Sequence, residues 1–217
     1  RGTDEVPGGH YWTDQASADG PGENFPTFMQ CWGEAVAFCR WLDWILNRLD
    51  PGSSQGFWPE GYRDGGVLRL PTQFEWWLAA TRGADDGSAP RGAMPWESGL
   101  GAGQDVVPGN VREAGFLQTV PVGLWPEHAG ACGARDMAGN VFEWCADRLD
   151  GKHRIETPDQ YPPPEEDMPA RVLRGGSWYG TAVDARASVR YWTRPDARSH
   201  LIGFRVCLSP PLPDSDH

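Results

Sequence analysis

The side chains best able to do redox or metal chemistry are five cysteines: Cys31, Cys39, Cys132, Cys145 and Cys207. Thiolates act as nucleophiles and as ligands for soft metals. Metal and redox sites usually bring cysteines into closely spaced pairs, but no CxxC pair occurs here, and the odd count argues against a disulfide framework. The pattern favours free, buried thiols and a cytoplasmic location, although a signal upstream of Arg1 would allow a cell-surface location.

The other candidates for catalysis are equally dispersed. The five histidines form no HxxxH pair and are scattered through segments that lack regular periodicity: His10, His128, His153, His200 and His217. No Ser-His-Asp arrangement or phosphate-binding loop stands out. The net charge of -11 argues against nucleic acid as a partner, and no apolar run is long enough for membrane insertion.

Two helices are expected to form part of the frame. Apolar residues recur at helical spacing over about 33–48, and Asp50-Pro51-Gly52 ends that pattern. Thr72 followed by Glu75 is a capping box, which predicts a second helix starting after Thr72 and ending at Gly83.

The remaining sequence predicts loops and short strands. Gly and Pro are abundant, at 28 and 20 residues, so turns should be frequent. Three segments rich in β-forming residues fit strands: Val141–Cys145, Arg171–Leu173 and Ile202–Leu208. We therefore predict one α+β domain over 28–209, with two helices, short strands and long loops, between an irregular segment at 1–27 and a tail at 210–217.

Three motifs occur in an order that resembles one known family. They are Arg69–Trp76, Gly133–Cys145, and a third that runs from Arg171–Trp178 to Ile202–Arg205. Together they resemble the formylglycine-generating, or sulfatase-modifying, enzyme family, as does the helical segment Ala35–Leu42. The resemblance covers about residues 28–208 and implies a C-type lectin-like fold of the formylglycine-generating-enzyme subtype.

The same resemblance implies that the chain is not an enzyme. Oxidase members of the family bind copper through two active-site cysteines five positions apart, and the resemblance places those positions at Ala182 and Ala187. Alanine provides neither a metal ligand nor a nucleophile. Two alternatives remain: an oxidase that uses other residues, and a structural or regulatory paralogue that has drifted.

The segment 179–201 suggests a binding function. Many bacterial and phage proteins of this fold are diversified by retroelements that mutate adenines in a template copy of the gene. Here unrelated residue types alternate with Arg, Pro and Asp anchors, which predicts a hypervariable surface for a variable ligand, expected to be a protein. The predicted variable residues are Tyr179, Gly180, Thr181, Asp184, Val189, Tyr191, Trp192, Thr193, Ala197, Ser199, His200 and Leu201.

A binding role predicts a specific arrangement of this segment. The variable side chains should converge on one exposed face, with three aromatic residues near its centre: Tyr179, Tyr191 and Trp192. The anchors should lie beneath that face in hydrogen bonds: Arg186, Arg190 and Asp196. Most of the 12 tryptophans, Trp178 among them, are expected in the core.

No cofactor is required for binding, but the resemblance implies a structural Ca²⁺. Its ligands would be the side chains of Asp136 and Glu143 and the carbonyl oxygens of Gly139 and Val141, and all-oxygen ligands suit this ion. The residues leave a metal-free alternative open, in which arginines pair with these carboxylates. The candidate arginines are Arg174, Arg186, Arg190 and Arg205.

Overall fold

The computed structural model describes residues 24–48, 66–81, 109–126, 133–150 and 169–209. Two α-helices lie in this part of the chain, α1 (Trp32–Leu46) and α2 (Gln73–Ala80). The strands are β1 (Val67–Arg69), β2 (Phe142–Arg148), β3 (Arg171–Arg174), β4 (Tyr191–Thr193), β5 (Ile202–Gly203) and β6 (Cys207–Ser209). The predictions for Gly83, Cys132, the tail at 210–217 and most of the segment at 1–27 fall outside the described residues.

Both predicted helices are confirmed. Helix α1 begins with a capping interaction in which the Cys31 backbone N–H donates to the Glu34 carboxylate at 3.0 Å. Helix α2 has the predicted capping box, because the Glu75 N–H donates to Thr72 Oγ1 at 3.1 Å and the Thr72 N–H donates to the Glu75 carboxylate at 2.8 Å. The second helix ends at Ala80, earlier than predicted.

The central sheet has four strands in the order β4-β3-β2-β5. Strands β2, β3 and β4 are antiparallel neighbours, whereas β5 pairs with β2 in parallel. The single strand predicted over Ile202–Leu208 is instead two strands, because β5 joins this sheet and β6 pairs with β1 in a separate two-stranded sheet.

The core lies on both faces of the central sheet. Neighbouring residues of a strand point to opposite faces, so Trp144 and Cys145 on β2 belong to different clusters. Trp144 packs with Trp32 of α1 and Leu173 of β3. Cys145 packs with Trp76 of α2 and Val172 of β3, so the sheet is held between the two helices.

The prediction that most tryptophans are buried is not supported in the described part of the chain. Trp32, Trp76 and Trp144 are buried, but three others are more than half exposed: Trp41, Trp44 and Trp192. Trp178, predicted to fill the core, is only partly buried. None of the helices in the described residues combines the length and apolar character that crossing a bilayer requires.

Candidate ligand-binding surface

The backbone of the first half of the 179–201 segment is held from the sheet. Arg174 of β3 donates from Nη1 to the carbonyl oxygens of Ala187 and Val189, at 3.0 and 2.9 Å. Gly176 has a φ of +74°, and a Cβ atom there would lie 2.9 Å from the Ala185 Cα, so only glycine permits this approach. Arginine and glycine residues that precede the segment therefore fix its path.

A second support comes from residues far away in sequence. Arg112 donates from its backbone N–H to the Gly180 carbonyl at 2.8 Å and from Nε to the Tyr179 carbonyl at 3.0 Å. The Glu113 carboxylate accepts the Ala182 N–H at 3.0 Å. Arg112 and Glu113 are site residues that sequence reasoning missed, because nothing local to them indicates a contact with residues nearly seventy positions later.

The second half of the segment is tied to the start of α1. The Trp32 N–H donates to the Pro195 carbonyl at 2.9 Å, and Arg198 Nη2 donates to the Glu34 carboxylate at 2.6 Å. Burial alone would raise the pKa of Glu34, but the hydrogen bonds and positive charge of Arg198 hold that pKa below its usual range. Arg198 therefore anchors the second half of the segment to α1.

None of the twelve predicted variable residues is buried. The three aromatic side chains predicted near the centre are exposed, Tyr179 by 57%, Trp192 by 55% and Tyr191 by 39%. The others are exposed or half-buried, and Ala197 also packs against the core cluster next to α1. The segment therefore displays these side chains instead of using them as core.

Three of the predicted residues bond to one another. The Tyr191 hydroxyl donates to Asp184 at 2.6 Å, and the Thr181 hydroxyl donates to the same carboxylate at 2.8 Å. The Tyr191 hydrogen bond lowers the pKa of Asp184, and the bond to Asp184 raises the pKa of Tyr191. Changes at these three positions should therefore be coupled.

The predicted geometry was wrong in two respects. Tyr191 and Trp192 are consecutive on the edge strand β4, so they leave the sheet on opposite faces and do not share one flat centre. Tyr191 packs on Phe142 at 5.0 Å between ring centroids, whereas Trp192 lies opposite Val172. The anchors predicted beneath the surface are themselves exposed: Arg186, Arg190 and Asp196.

The two alanines at the positions implied for catalytic cysteines lie in apolar surroundings. Ala187 is buried with Trp76, Cys145 and Val172, and Ala182 packs beside Val111. Cys145 is the thiol in the same cluster as Ala187, and burial raises its pKa well above the usual range. No group of three His, Cys, Asp or Glu side chains suited to a metal occurs among the described residues.

None of the other described cysteines forms a disulfide with another described residue, and two of them have a perturbed pKa. Cys31 and Cys39 are buried, as predicted, while Cys207 is half-buried. Burial raises the pKa of Cys39 to about 12 and that of Cys207 to about 11. These two thiols are therefore protonated at neutral pH and are poor nucleophiles.

The four residues predicted as Ca²⁺ ligands line one pocket of about 340 Å³: Asp136, Gly139, Val141 and Glu143. The carboxylate of Glu143, however, already has a cation. Arg205 donates to both of its oxygens, at 2.5 Å from Nε and 2.6 Å from Nη2, and Trp76 Nε1 donates to it at 2.6 Å. Of the predicted arginine pairings, only this one forms, and the residues present do not fit a Ca²⁺ ion held through Glu143.

The Asp136 carboxylate would be left as the only charged ligand of such an ion. It accepts a hydrogen bond from the Gly123 N–H at 2.6 Å. One carboxylate and two carbonyl groups give a weak Ca²⁺ site, because affinity rises with the number of charged ligands.

Calcium should therefore leave the stability of this protein unchanged. If the free Ca²⁺ concentration were a hundred times the Kd of such a site, binding would add about 2.7 kcal/mol to the free energy of unfolding. We expect thermal melts in millimolar CaCl₂ and in EDTA to give the same Tm. A reproducible rise in Tm with Ca²⁺, absent with Mg²⁺, would contradict this expectation.

Known proteins resemble the chain over nearly its whole length. A sequence model described as "Sulfatase-modifying factor enzyme 1-like domain" matches residues 7–210. The chain is 30% identical over 211 residues to the inactive C-alpha-formylglycine-generating enzyme 2 of Bos taurus. This alignment covers 92% of this chain and 56% of the relative. It is also 30% identical over 223 residues to the formylglycine-generating enzyme of Thermomonospora curvata, which covers 95% of this chain and 63% of that enzyme. The chain thus spans less than two thirds of the length of these curated relatives.

A solved structure supports the same relationship. Treponema denticola variable protein 1 superposes with a TM-score of 0.59 at 26% identity, over 90% of this chain and 77% of that one. This likeness confirms the predicted α+β, C-type lectin-like fold with two helices and short strands. The motifs at Arg69–Trp76 and Gly133–Cys145 were therefore correctly interpreted, and the chain belongs to the family of sulfatase-modifying factor enzyme 1-like domains.

Proposed function

We propose that this protein is a non-catalytic binding protein whose ligand contacts the side chains of residues 179–201. One observation carries the proposal: this backbone is held mainly by groups outside the predicted variable set, while none of the twelve predicted variable side chains is buried. The supports include Arg174, Arg112 and Glu113, which act on backbone atoms of the segment.

Such an arrangement suits repeated sequence change. A hydrogen bond to a carbonyl or amide of the backbone does not depend on the side chain of that residue. Side chains at most of the twelve positions can therefore vary without loss of the frame, and the retained aromatic residues offer large contact areas at low entropic cost. The likeness to a variable protein from Treponema denticola supports this proposal.

The same proposal holds that catalysis of the oxidase type is absent. Purified protein should bind no stoichiometric copper and should not convert a cysteine-containing sulfatase peptide, because Ala182 and Ala187 supply no thiolate and Cys145 is a buried thiol. Copper content by mass spectrometry and product formation by peptide mass test this. The formylglycine-generating enzyme of Thermomonospora curvata is the positive control. Turnover above a metal-only blank would contradict the proposal.

Folding should not require the exposed side chains of the segment. The triple variant Tyr179→Ala, Trp192→Ala and His200→Ala removes three exposed residues of the predicted surface. Each change should cost about 0.5 kcal/mol or less, since exposed positions rarely contribute more. Urea denaturation followed by circular dichroism measures the loss. A loss as large as that of a core tryptophan variant would favour a drifted structural paralogue.

A further inference from the structure

A cluster of arginine side chains lies at the β3–β4 edge of the central sheet. The register of these strands pairs Val172 with Trp192 and Leu173 with Tyr191. Arg174 ends β3 and Arg190 directly precedes β4, so the next positions in this register bring two like charges together. Arg174 is buried, and its pKa is lowered by burial and by the charge of Arg190.

The charge of the Asp147 carboxylate raises the pKa of Arg174 and so offsets part of this effect, but no carboxylate in the described part of the chain accepts a hydrogen bond from the Arg174 guanidinium. The guanidinium donates to the carbonyl oxygens of Ala187 and Val189 and to Gln73 Oε1, all of which are uncharged. Its Nε atom is buried without a hydrogen-bond partner. Arg186 and Arg190 are exposed, and neither has a carboxylate partner among the residues that the structure describes.

An exposed aromatic side chain adjoins these charges. Trp192 of β4 is exposed, and Arg190, two residues earlier, directly precedes that strand. We call Arg174, Arg186, Arg190 and Trp192 the arginine face. Strand β4 is at the edge of the four-stranded sheet, and none of the described strands pairs with it on the side away from β3.

The charge of the arginine face is opposite to that of the whole protein. The chain carries a net charge of -11, yet the other arginines of the segment are already paired, Arg194 with Asp196 and Arg198 with Glu34. Charges more than about 8 Å apart are largely screened at physiological salt, so the local excess governs short-range contacts. A short acidic ligand would therefore be attracted by the local positive charge. An extended polyanion such as nucleic acid would also reach the negatively charged rest of the protein and be repelled by it.

We infer that the arginine face binds a carboxylate-rich segment of a protein partner. The inference rests on the proposed binding function and names the chemical class of its ligand. Guanidinium groups bind carboxylates through two parallel hydrogen bonds, and Trp192 supplies an apolar platform for the carbon chain of a glutamate or for a neighbouring side chain. A carboxylate placed over Arg190 would also offset its repulsion with Arg174.

A binding measurement with a labelled oligoglutamate peptide tests this inference. Fluorescence anisotropy compares the full chain with the double variant Arg186→Gln/Arg190→Gln and with the control double variant Arg48→Gln/Arg135→Gln. The control removes the same charge at exposed arginines outside the arginine face. We expect the first double variant to weaken binding about tenfold or more and the control to change it less than about twofold. All four substitutions are at exposed positions, and circular dichroism checks that both variants fold.

Three results would overturn the inference. The oligoglutamate peptide fails to bind the unchanged protein, or both double variants lose the same affinity for it. The third is that a single-stranded oligonucleotide with the same charge as the peptide binds more tightly than the peptide does. The proposed function is tested separately by the copper, peptide-conversion and triple-alanine measurements, which do not involve acidic peptides. If those three measurements give the results expected for a binding protein and oligoglutamate does not bind, only the ligand class is wrong. If the triple-alanine variant unfolds, the surface itself is structural and the proposed function fails.

Discussion

Replacing Glu143 with glutamine is expected to lower the free energy of unfolding by about 3 kcal/mol, the lower end of the range for breaking a buried ion pair. Glu143 is buried, and its carboxylate accepts hydrogen bonds from Arg205 and from Trp76 Nε1. Glutamine keeps the shape but removes the charge, so the Arg205 guanidinium loses the carboxylate to which it donates two hydrogen bonds. The Arg205 side chain is 25% exposed, and water therefore reduces the loss.

Urea denaturation gives this loss as a shift in midpoint at unchanged slope. The matched control is Asp196→Asn, which breaks the ion pair with Arg194 at the surface, where the side chains are 50% and 61% exposed. We expect no measurable change in the control, because exposed ion pairs contribute little. Equal losses in the two variants would show that the Glu143–Arg205 pair has no special structural role.

The second large effect is expected from Trp144→Ala, at about 3–5 kcal/mol. Trp144 is fully buried on β2 against α1, and its Nε1 donates to the Gln30 carbonyl at 2.9 Å. Alanine leaves a cavity and an unsatisfied buried carbonyl. Thermal and urea denaturation should both report the loss.

The matched control is Trp178→Ala, which removes the same side chain from a partly buried position. The loss of unfolding free energy in Trp178→Ala should be clearly smaller, because folding buries less apolar area of Trp178 than of Trp144. A loss equal to that of Trp144→Ala would show that Trp178 fills the core, as the sequence alone predicted.

The helices were predictable because their signals are local. The capping box of Thr72 and Glu75 and the apolar spacing of α1 need no distant partner. Strands β1 and β4 were missed because each has only three residues. Strand β1 forms by pairing with β6, which is far away in sequence, and β4 forms by pairing with β3. The split of the last predicted strand has the same cause, since β5 and β6 join different sheets.

The sequence predicted that the twelve side chains are not buried, but it did not predict how they are arranged. Alternation of anchors and unrelated side chains indicated which residues are displayed, and none of them is buried. The supports from Arg112 and Glu113 depend on tertiary contacts that no local pattern encodes. The opposed faces of Tyr191 and Trp192 depend on β4, which the sequence did not reveal.

The likeness of the chain to a formylglycine-generating enzyme and to an inactive relative is equally close, at 30% identity. Overall identity therefore does not separate catalysis from binding, and the decision rests on particular positions. Our proposal of a binding function depends on Ala182 and Ala187, the positions that the family resemblance implies for the catalytic cysteines, and on the exposed aromatic residues of the segment.

Sequencing the DNA around the gene tests the proposed diversified surface most directly. Retroelement diversification predicts a nearby second copy of the sequence that encodes residues 179–201, close to a reverse-transcriptase gene. The two copies should differ only where the template has adenine, and those differences should change the codons of exposed residues such as Tyr179, Trp192 and His200. A flanking region without such a copy, or a copy whose differences fall equally on the other bases, would contradict the proposal.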